Sequence, residues 1–433
     1  MKGEKFNSIL KWASLGFMFA MSMAAIFSPF SIEFLFGMSY VGMAFYGVFV
    51  YLNKDKTVKW RLYVDTGGLA AAFISSLLFV IFKIYAFYFI SQAMVISLTL
   101  FNLIYALIEV NGIKGDKRIA KNVLLICASV LSAAVFIVGA ISVVGFGRGT
   151  MSTLAESVLA GNKTDDAHAE KAFLRDTATP IEPTFNTSLV KNGIKLELFE
   201  GMKVYYVNGN SNYDNVLFYI HGGYYVYDIG AEQITSSDRI ASWSNSMVVL
   251  PLYTLAPHET AEINYPRMMR LYNKVVAENP NKKITLMGDS AGGGFALALA
   301  EGLTFQPDEL ILLSPWVDVT MSNPDIKKYY DPMLTVTMGK LCGEAWAGGV
   351  YPTNDWHISP IYGDLSKLGR VTIFVGTREL FYPDDTLLYT KIKQTGNSRV
   401  TLNVGKGLNH VFPIYPTLEG RIALEEICRI IKR

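Results

Sequence analysis

Three long apolar blocks near the N-terminus constrain this chain more than any other feature. Ala13–Leu52 carries one charged residue, Glu33; Thr66–Ile108 carries one, Lys83; Asn122–Gly147 carries none. A helix needs roughly 20 apolar residues to cross the about 30 Å of a bilayer's hydrocarbon core. The first two blocks are therefore long enough for two spans each and the third for one. The pattern predicts five helices, at about 12–30, 33–52, 66–88, 92–109 and 122–147, with reversals at Ser28-Pro29 and Ser91-Gln92.

Charge gives these spans a direction. Residues 1–150 hold 13 Lys/Arg against 6 Asp/Glu, whereas the remainder holds 26 against 31. The basic residues cluster before the first span (Lys2, Lys5, Lys11), between the second and third (Lys54, Lys56, Lys59, Arg61) and between the fourth and fifth (Lys114, Lys117, Arg118, Lys121). With five spans all three clusters share one face, which the positive-inside rule places in the cytoplasm. The expected arrangement is a plasma-membrane protein with a cytoplasmic N-terminus and everything after residue 148 on the outer side. Glu33, Lys83 and Glu109 fall where helix ends can hold them near the interface, so the spans read as an anchor in contact with membrane lipids rather than a transport path.

Over all 433 residues, 51% are hydrophobic and 18% charged, against about 25% charged in a soluble globule. That balance excludes a disordered chain, a coiled coil and a basic nucleic-acid binder. Cys127, Cys342 and Cys428 form neither a disulfide framework nor a C-x-x-C pair. No metal and no cofactor are expected. The chain divides into a transmembrane helical domain (1–148), a polar linker and helical cap (149–200) and a third domain (201–433).

In the third domain short apolar runs alternate with helical stretches. Strands are expected at Val204–Val207, Val216–Ile220, Met247–Leu252, Ile284–Met287, Leu310–Leu313, Val371–Val375 and Val400–Val404. Helices are expected at about 261–278, 291–303, 333–347, 384–394 and 417–432. Uninterrupted apolar strands alternating with helices predict an α/β fold, a mostly parallel sheet covered on both faces.

Gly288-Asp289-Ser290-Ala291-Gly292 is a G-x-S-x-G motif between a strand and a helix, the context a nucleophile elbow requires. His221-Gly222-Gly223-Tyr224 follows a strand about 70 residues earlier, where a glycine-rich loop can aim amides at an oxyanion. With the chain order Ser, acid, His, only His357 and His410 qualify as base. His410 follows a strand and is preferred; His357 has none before it. The acid belongs just past a strand end. That favours Glu379, three residues beyond Gly376, over Asp384 and Asp385; Asp318 is a further candidate that could equally be structural, and Asp331 reads as a helix cap.

Several blocks then resemble the hormone-sensitive-lipase-like esterases, the alpha/beta hydrolase fold-3 group. They are His221 to Tyr224, Tyr253-Thr254-Leu255-Ala256-Pro257-His258, Gly288 to Gly293, Ser314-Pro315-Trp316-Val317-Asp318, Ser359 to Leu365, Gly376 to Asp384, and Gly407 to Phe412. The resemblance covers about 200–433 and not residues 1–150. It implies an α/β-hydrolase fold for that part; the all-α transmembrane bundle of about five helices expected before it rests on the apolar blocks alone. The resemblance also implies an ester substrate, Ser290 as nucleophile, His410 as base and Glu379 as acid. Oxyanion donors are implied among Gly222, Gly223, Tyr224 and Ala291. Two positions depart from the pattern: Tyr224 stands where the family has a third glycine, and Glu379-Leu380-Phe381 replaces Asp-Pro-Leu. The expected function is a membrane-bound serine hydrolase of short acyl esters, extending to lipid or envelope-glycan esters. An acyltransferase using the same acyl-enzyme and a non-catalytic scaffold with a hydrolase shell are the alternatives.

Overall fold

The computed structural model describes residues 148–210 and 212–433, with short helical stretches nearer the N-terminus at 43–48, 50–51 and 65–74 and isolated positions 13, 14, 17 and 102. Most of the five expected spans fall outside the described residues. Among the described residues no helix is long and apolar enough to cross a membrane. The chain divides into two compact units, Met1–Leu154 and Ala155–Arg433. Within the first, the buried Asp65 carboxylate accepts hydrogen bonds from Tyr46 Oη at 2.9 Å and Asn102 Nδ2 at 3.1 Å, a polar contact that hydropathy alone does not reveal.

The second unit begins within α1 (Thr150–Gly161) and continues through α2 (Ala169–Asp176), β1 (Ile194–Phe199), β2 (Met202–Val207), β3 (Asn215–Ile220), α3 (Ala231–Ser244) and β4 (Ser246–Leu252). Then come α4 (Ala261–Glu278), β5 (Lys283–Asp289), α5 (Ser290–Gly302), β6 (Glu309–Leu313), α6 (Val336–Ala347), β7 (Val371–Arg378), α7 (Tyr382–Gln394), β8 (Val400–Asn409) and α8 (Leu418–Ile431). The eight strands form one sheet in the order β1-β2-β4-β3-β5-β6-β7-β8. β1, β2 and β4 pair antiparallel, and every pairing from β4 to β8 is parallel. Each of the seven expected strands is present. The sheet starts earlier than the expected boundary at 201, because β1 lies at 194–199.

Strand β3 shows why the sheet needs cover on both sides. Val216, Phe218 and Ile220 enter one apolar cluster with Met268 and Leu271 of α4 and Phe295 and Leu299 of α5. Leu217 and Tyr219 enter the other with Ile234 and Ile240 of α3 and Leu424 and Ile427 of α8. Side chains alternate across a strand, so a run apolar at every position is stable only between two helical layers. Helix α5 is buried along almost its whole length, which places its first residue, Ser290, against the middle of the sheet. The parallel strands β3, β5, β7 and β8 all end at one rim, and the loops after them carry the residues singled out above.

Candidate active site

Ser290 stands at the junction of β5 and α5 with φ +52°, the left-handed region that non-glycine residues rarely occupy. The two flanking glycines permit that turn. A Cβ at Gly288 would collide with the Gly292 carbonyl, and one at Gly292 with the carbonyls of Ile220 and His221. The elbow is thus wedged against the end of β3, with α5 directing its positive N-terminal end at the serine.

Asp289 locks this elbow to the glycine loop. Its Oδ1 accepts from Tyr219 Oη at 2.7 Å and Gly222 N at 3.0 Å, and its Oδ2 from Gln233 Nε2 at 2.8 Å. Complete burial pushes its carboxyl pKa up, against the pull of these three donors. The contact corrects one expectation: the Gly222 amide is engaged by Asp289 and is not free for an oxyanion. Gly223 (φ +116°) and Tyr224 (φ +55°) turn the chain sharply just beyond it. The Gly223 carbonyl accepts from Val226 N and Tyr227 N, and among the described residues no hydrogen bond engages the Gly223 or Tyr224 amides. The amide of Ala291, in the first turn of α5, has no intrahelical acceptor available. His221 is structural. Its Nδ1–H donates to the Gly222 carbonyl at 2.7 Å, its ring stacks on Tyr253, and burial lowers its pKa.

Glu379 and His410 follow the neighbouring strands β7 and β8 and meet. His410 Nδ1 lies 2.6 Å from Glu379 Oε2, and both side chains are at most 2% exposed. A carboxylate can only accept, so Nδ1 carries the proton and Nε2 presents its lone pair. That Nε2 is buried and has no hydrogen-bond partner among the described residues. The other oxygen of Glu379 accepts from Gly376 N at 2.5 Å and Ser314 Oγ at 2.8 Å. Ser314 Oγ in turn accepts from Val411 N at 2.9 Å, tying the acid to the chain just past the histidine. Burial alone would depress the imidazole pKa, but the charge and hydrogen bond of Glu379, together with the charges of Asp331 and Asp289, outweigh it and hold His410 above its usual value.

An aromatic wall joins these parts. Trp316 N donates to the Ser290 carbonyl at 2.8 Å. Its ring meets Tyr224 edge-on at 5.3 Å and stacks on Phe381 at 5.8 Å, and Phe381 meets His410 edge-on at 5.1 Å.

The competing candidates are engaged elsewhere. His357 pairs with Asp355 at 2.7 Å and packs between Trp356 and Tyr351. Asp384 accepts from Asn323, with its pKa pushed up to about 6 by burial, and burial likewise raises the pKa of Asp385. Neither touches His410. Asp318 accepts from Thr320 and Tyr362. Asp331 differs from expectation. The α6 cap is Thr335, while Asp331 Oδ1 binds Met333 N and Leu334 N and its Oδ2 accepts from Leu380 N at 2.9 Å, directly after Glu379. Sequence reasoning passed over Ser314, Asp289 and Gln233. The first two lie inside the motif blocks quoted above; Gln233 carries no such signal.

Two consequences are measurable. A base must be unprotonated, so kcat/KM for an ester should rise with pH along a limb whose midpoint lies above about 6.5, the usual imidazole value. Ser314→Ala removes a donor to a buried carboxylate, a contact worth about 1.5–3 kcal/mol, and should lower kcat/KM about tenfold in steady-state assays.

The eight-stranded, mostly parallel sheet covered by helices on both faces is an α/β-hydrolase fold. Residues 217–414 match the family described as "alpha/beta hydrolase fold". Among named relatives, "Putative acetyl-hydrolase LipR" of Mycobacterium tuberculosis is 32% identical over 169 residues, covering 36% of this chain and 53% of its own. "Acetyl-hydrolase" of Streptomyces hygroscopicus is 27% identical over 218 residues, covering 48% and 72%. Among solved structures, a "putative esterase from Staphylococcus aureus" superposes with TM-score 0.57 at 26% identity, over 63% of this chain and 95% of that one. The chain spans about half the length of the first curated relatives it matches.

Proposed function

We propose that this chain is a membrane-anchored serine hydrolase that cleaves carboxylic esters through Ser290, His410 and Glu379. The observation that carries the reading is the buried 2.6 Å contact between Glu379 and His410 Nδ1, which leaves Nε2 as a base at the same rim as the serine elbow. Ser290 Oγ attacks the ester carbonyl carbon while Nε2 takes its proton. The tetrahedral oxyanion is held by the amides of Gly223, Tyr224 and Ala291. Collapse breaks the bond to the alcohol oxygen, which leaves with the proton from Nε2. Water then attacks the acyl-enzyme, giving its proton to the same nitrogen; the bond to Ser290 Oγ breaks, Nε2 returns the proton to that oxygen, and the acid departs.

Short acyl groups fit the site best. The Tyr224 ring occupies space that glycine would leave open, and two relatives bear acetyl-hydrolase names. The charge-poor N-terminal blocks supply the anchor, and the basic clusters put the catalytic unit on the outer side of the plasma membrane. Ester substrates reached there include lipids and envelope glycans.

The full chain in detergent micelles should turn over p-nitrophenyl acetate faster than the octanoate; no turnover of either would overturn the reading. On intact cells a membrane-impermeant fluorophosphonate should label the protein, whereas labelling only after lysis would put the catalytic unit inside.

A further inference from the structure

The segment that opens the second unit grips the acid turn on both sides of Glu379. On the N-terminal side, Glu156 of α1 forms a two-pronged ion pair with Arg378, each N–H···O distance being 2.7 Å. On the C-terminal side, Lys163 Nζ donates to the Asp331 carbonyl at 2.8 Å, and the Asp331 carboxylate accepts from Leu380 N at 2.9 Å. Arg378 is also the β7 residue paired with Asn409 of β8, so it flanks the acid in sequence and lies across from the neighbour of the base. The Tyr330 ring packs against its guanidinium at 4.6 Å. Two more ties reach along the rim: Asp166 accepts from Thr337 N at 3.0 Å, and Asp176 from Tyr227 Oη at 3.0 Å.

We propose that residues 155–177 act as a strap that positions the catalytic acid, with the Glu156–Arg378 pair as its anchor. The inference rests on the hydrolase reading above. Both residues are positioning residues, acting through Glu379. The pair is only 9% and 25% exposed, and a fork-shaped guanidinium–carboxylate contact fixes direction as well as distance. Its sequence position is the reason it matters. A shift at Arg378 displaces Glu379 directly and Asn409 through the β7–β8 ladder, so the acid–base contact loosens from both ends. The charged groups facing His410 are Glu379, Asp331 from the turn before α6 and Asp289 from the end of β5; Asp385 of α7 faces Glu379 in turn. Of these only Glu379 is hydrogen-bonded to the imidazole, so loosening it weakens the hold on the imidazolium form.

The test uses Glu156→Gln and Arg378→Lys in the full chain, the second keeping the charge and losing the fork. Two readouts are taken: steady-state kinetics on p-nitrophenyl acetate, and the His410 titration followed by NMR with labelled histidine. Each variant should lower kcat about tenfold with KM within twofold, and should move the His410 midpoint to lower pH. Unchanged kcat and midpoint in both variants would overturn the strap. So would lost activity with an unmoved midpoint, because that pattern marks general destabilisation. A wild-type chain that hydrolyses no ester would sink the hydrolase reading instead, while the NMR titration would still decide the strap.

Discussion

Replacing Ser290 by alanine should lower kcat/KM for p-nitrophenyl acetate at least about 1,000-fold, or roughly 4 kcal/mol of transition-state stabilisation. The substitution removes the attacking oxygen and leaves the amides of Gly223, Tyr224 and Ala291 in place. The residual rate should therefore exceed that in buffer, since oxyanion stabilisation and binding persist without the nucleophile. The fold should survive. The turn at Ser290 is held by close backbone packing at Gly288 and Gly292, and among the described residues no hydrogen bond from its hydroxyl supports the elbow. Circular dichroism and the melting temperature should match the wild type, which separates lost chemistry from lost structure. Wild-type turnover by this variant would remove the nucleophile assignment.

The second large effect is expected for Glu379→Gln, on the order of 1,000- to 10,000-fold in kcat. The carboxylate receives Ser314 Oγ and Gly376 N on one oxygen and His410 Nδ1 on the other. A carboxamide can offer an acceptor to only one of these sides. Its NH2 group then faces donors on the other, and satisfying it against His410 forces the proton to Nε2, the nitrogen required as base. The charge that raises the imidazole pKa also disappears, so the acidic limb of the pH profile should move below its wild-type position. A moderate loss with an unmoved limb would indicate that another carboxylate serves the histidine. Asp331, whose charge also raises the imidazole pKa, would then be the first to replace.

Central strands were legible because they are apolar at every position, a pattern only a doubly covered sheet supports. β1 escaped notice because Ile194–Phe199 alternates with Lys195 and Glu197 and lies at the sheet edge, with Leu196 and Leu198 exposed. Helix α3 escaped for the opposite reason. It reads as polar, yet Gln233, Ser236, Ser237 and Asp238 are buried, satisfied by contacts such as Gln233 to Asp289. The serine, histidine and acid proposed for the site could be singled out because each closes or follows a strand, as the sequence of motifs leads one to expect. The groups that hold them were not. Asp331 looked like a helix cap because local sequence shows only its own turn, and its second oxygen reaches Leu380, 49 positions away. Glu156 and Arg378 are 222 residues apart. No local pattern announces such a pair; only the folded rim brings the two together.

Covalent trapping tests the central claim most directly. The full chain is treated with a fluorophosphonate, digested and analysed by peptide mass spectrometry, beside the variant His410→Ala. The account requires one adduct per chain, on the peptide containing Gly288-Asp289-Ser290-Ala291-Gly292 and assigned to Ser290, formed far more slowly when the imidazole is absent. An active wild-type protein whose adduct maps to another residue, or whose Ser290 reacts equally fast without His410, would contradict it.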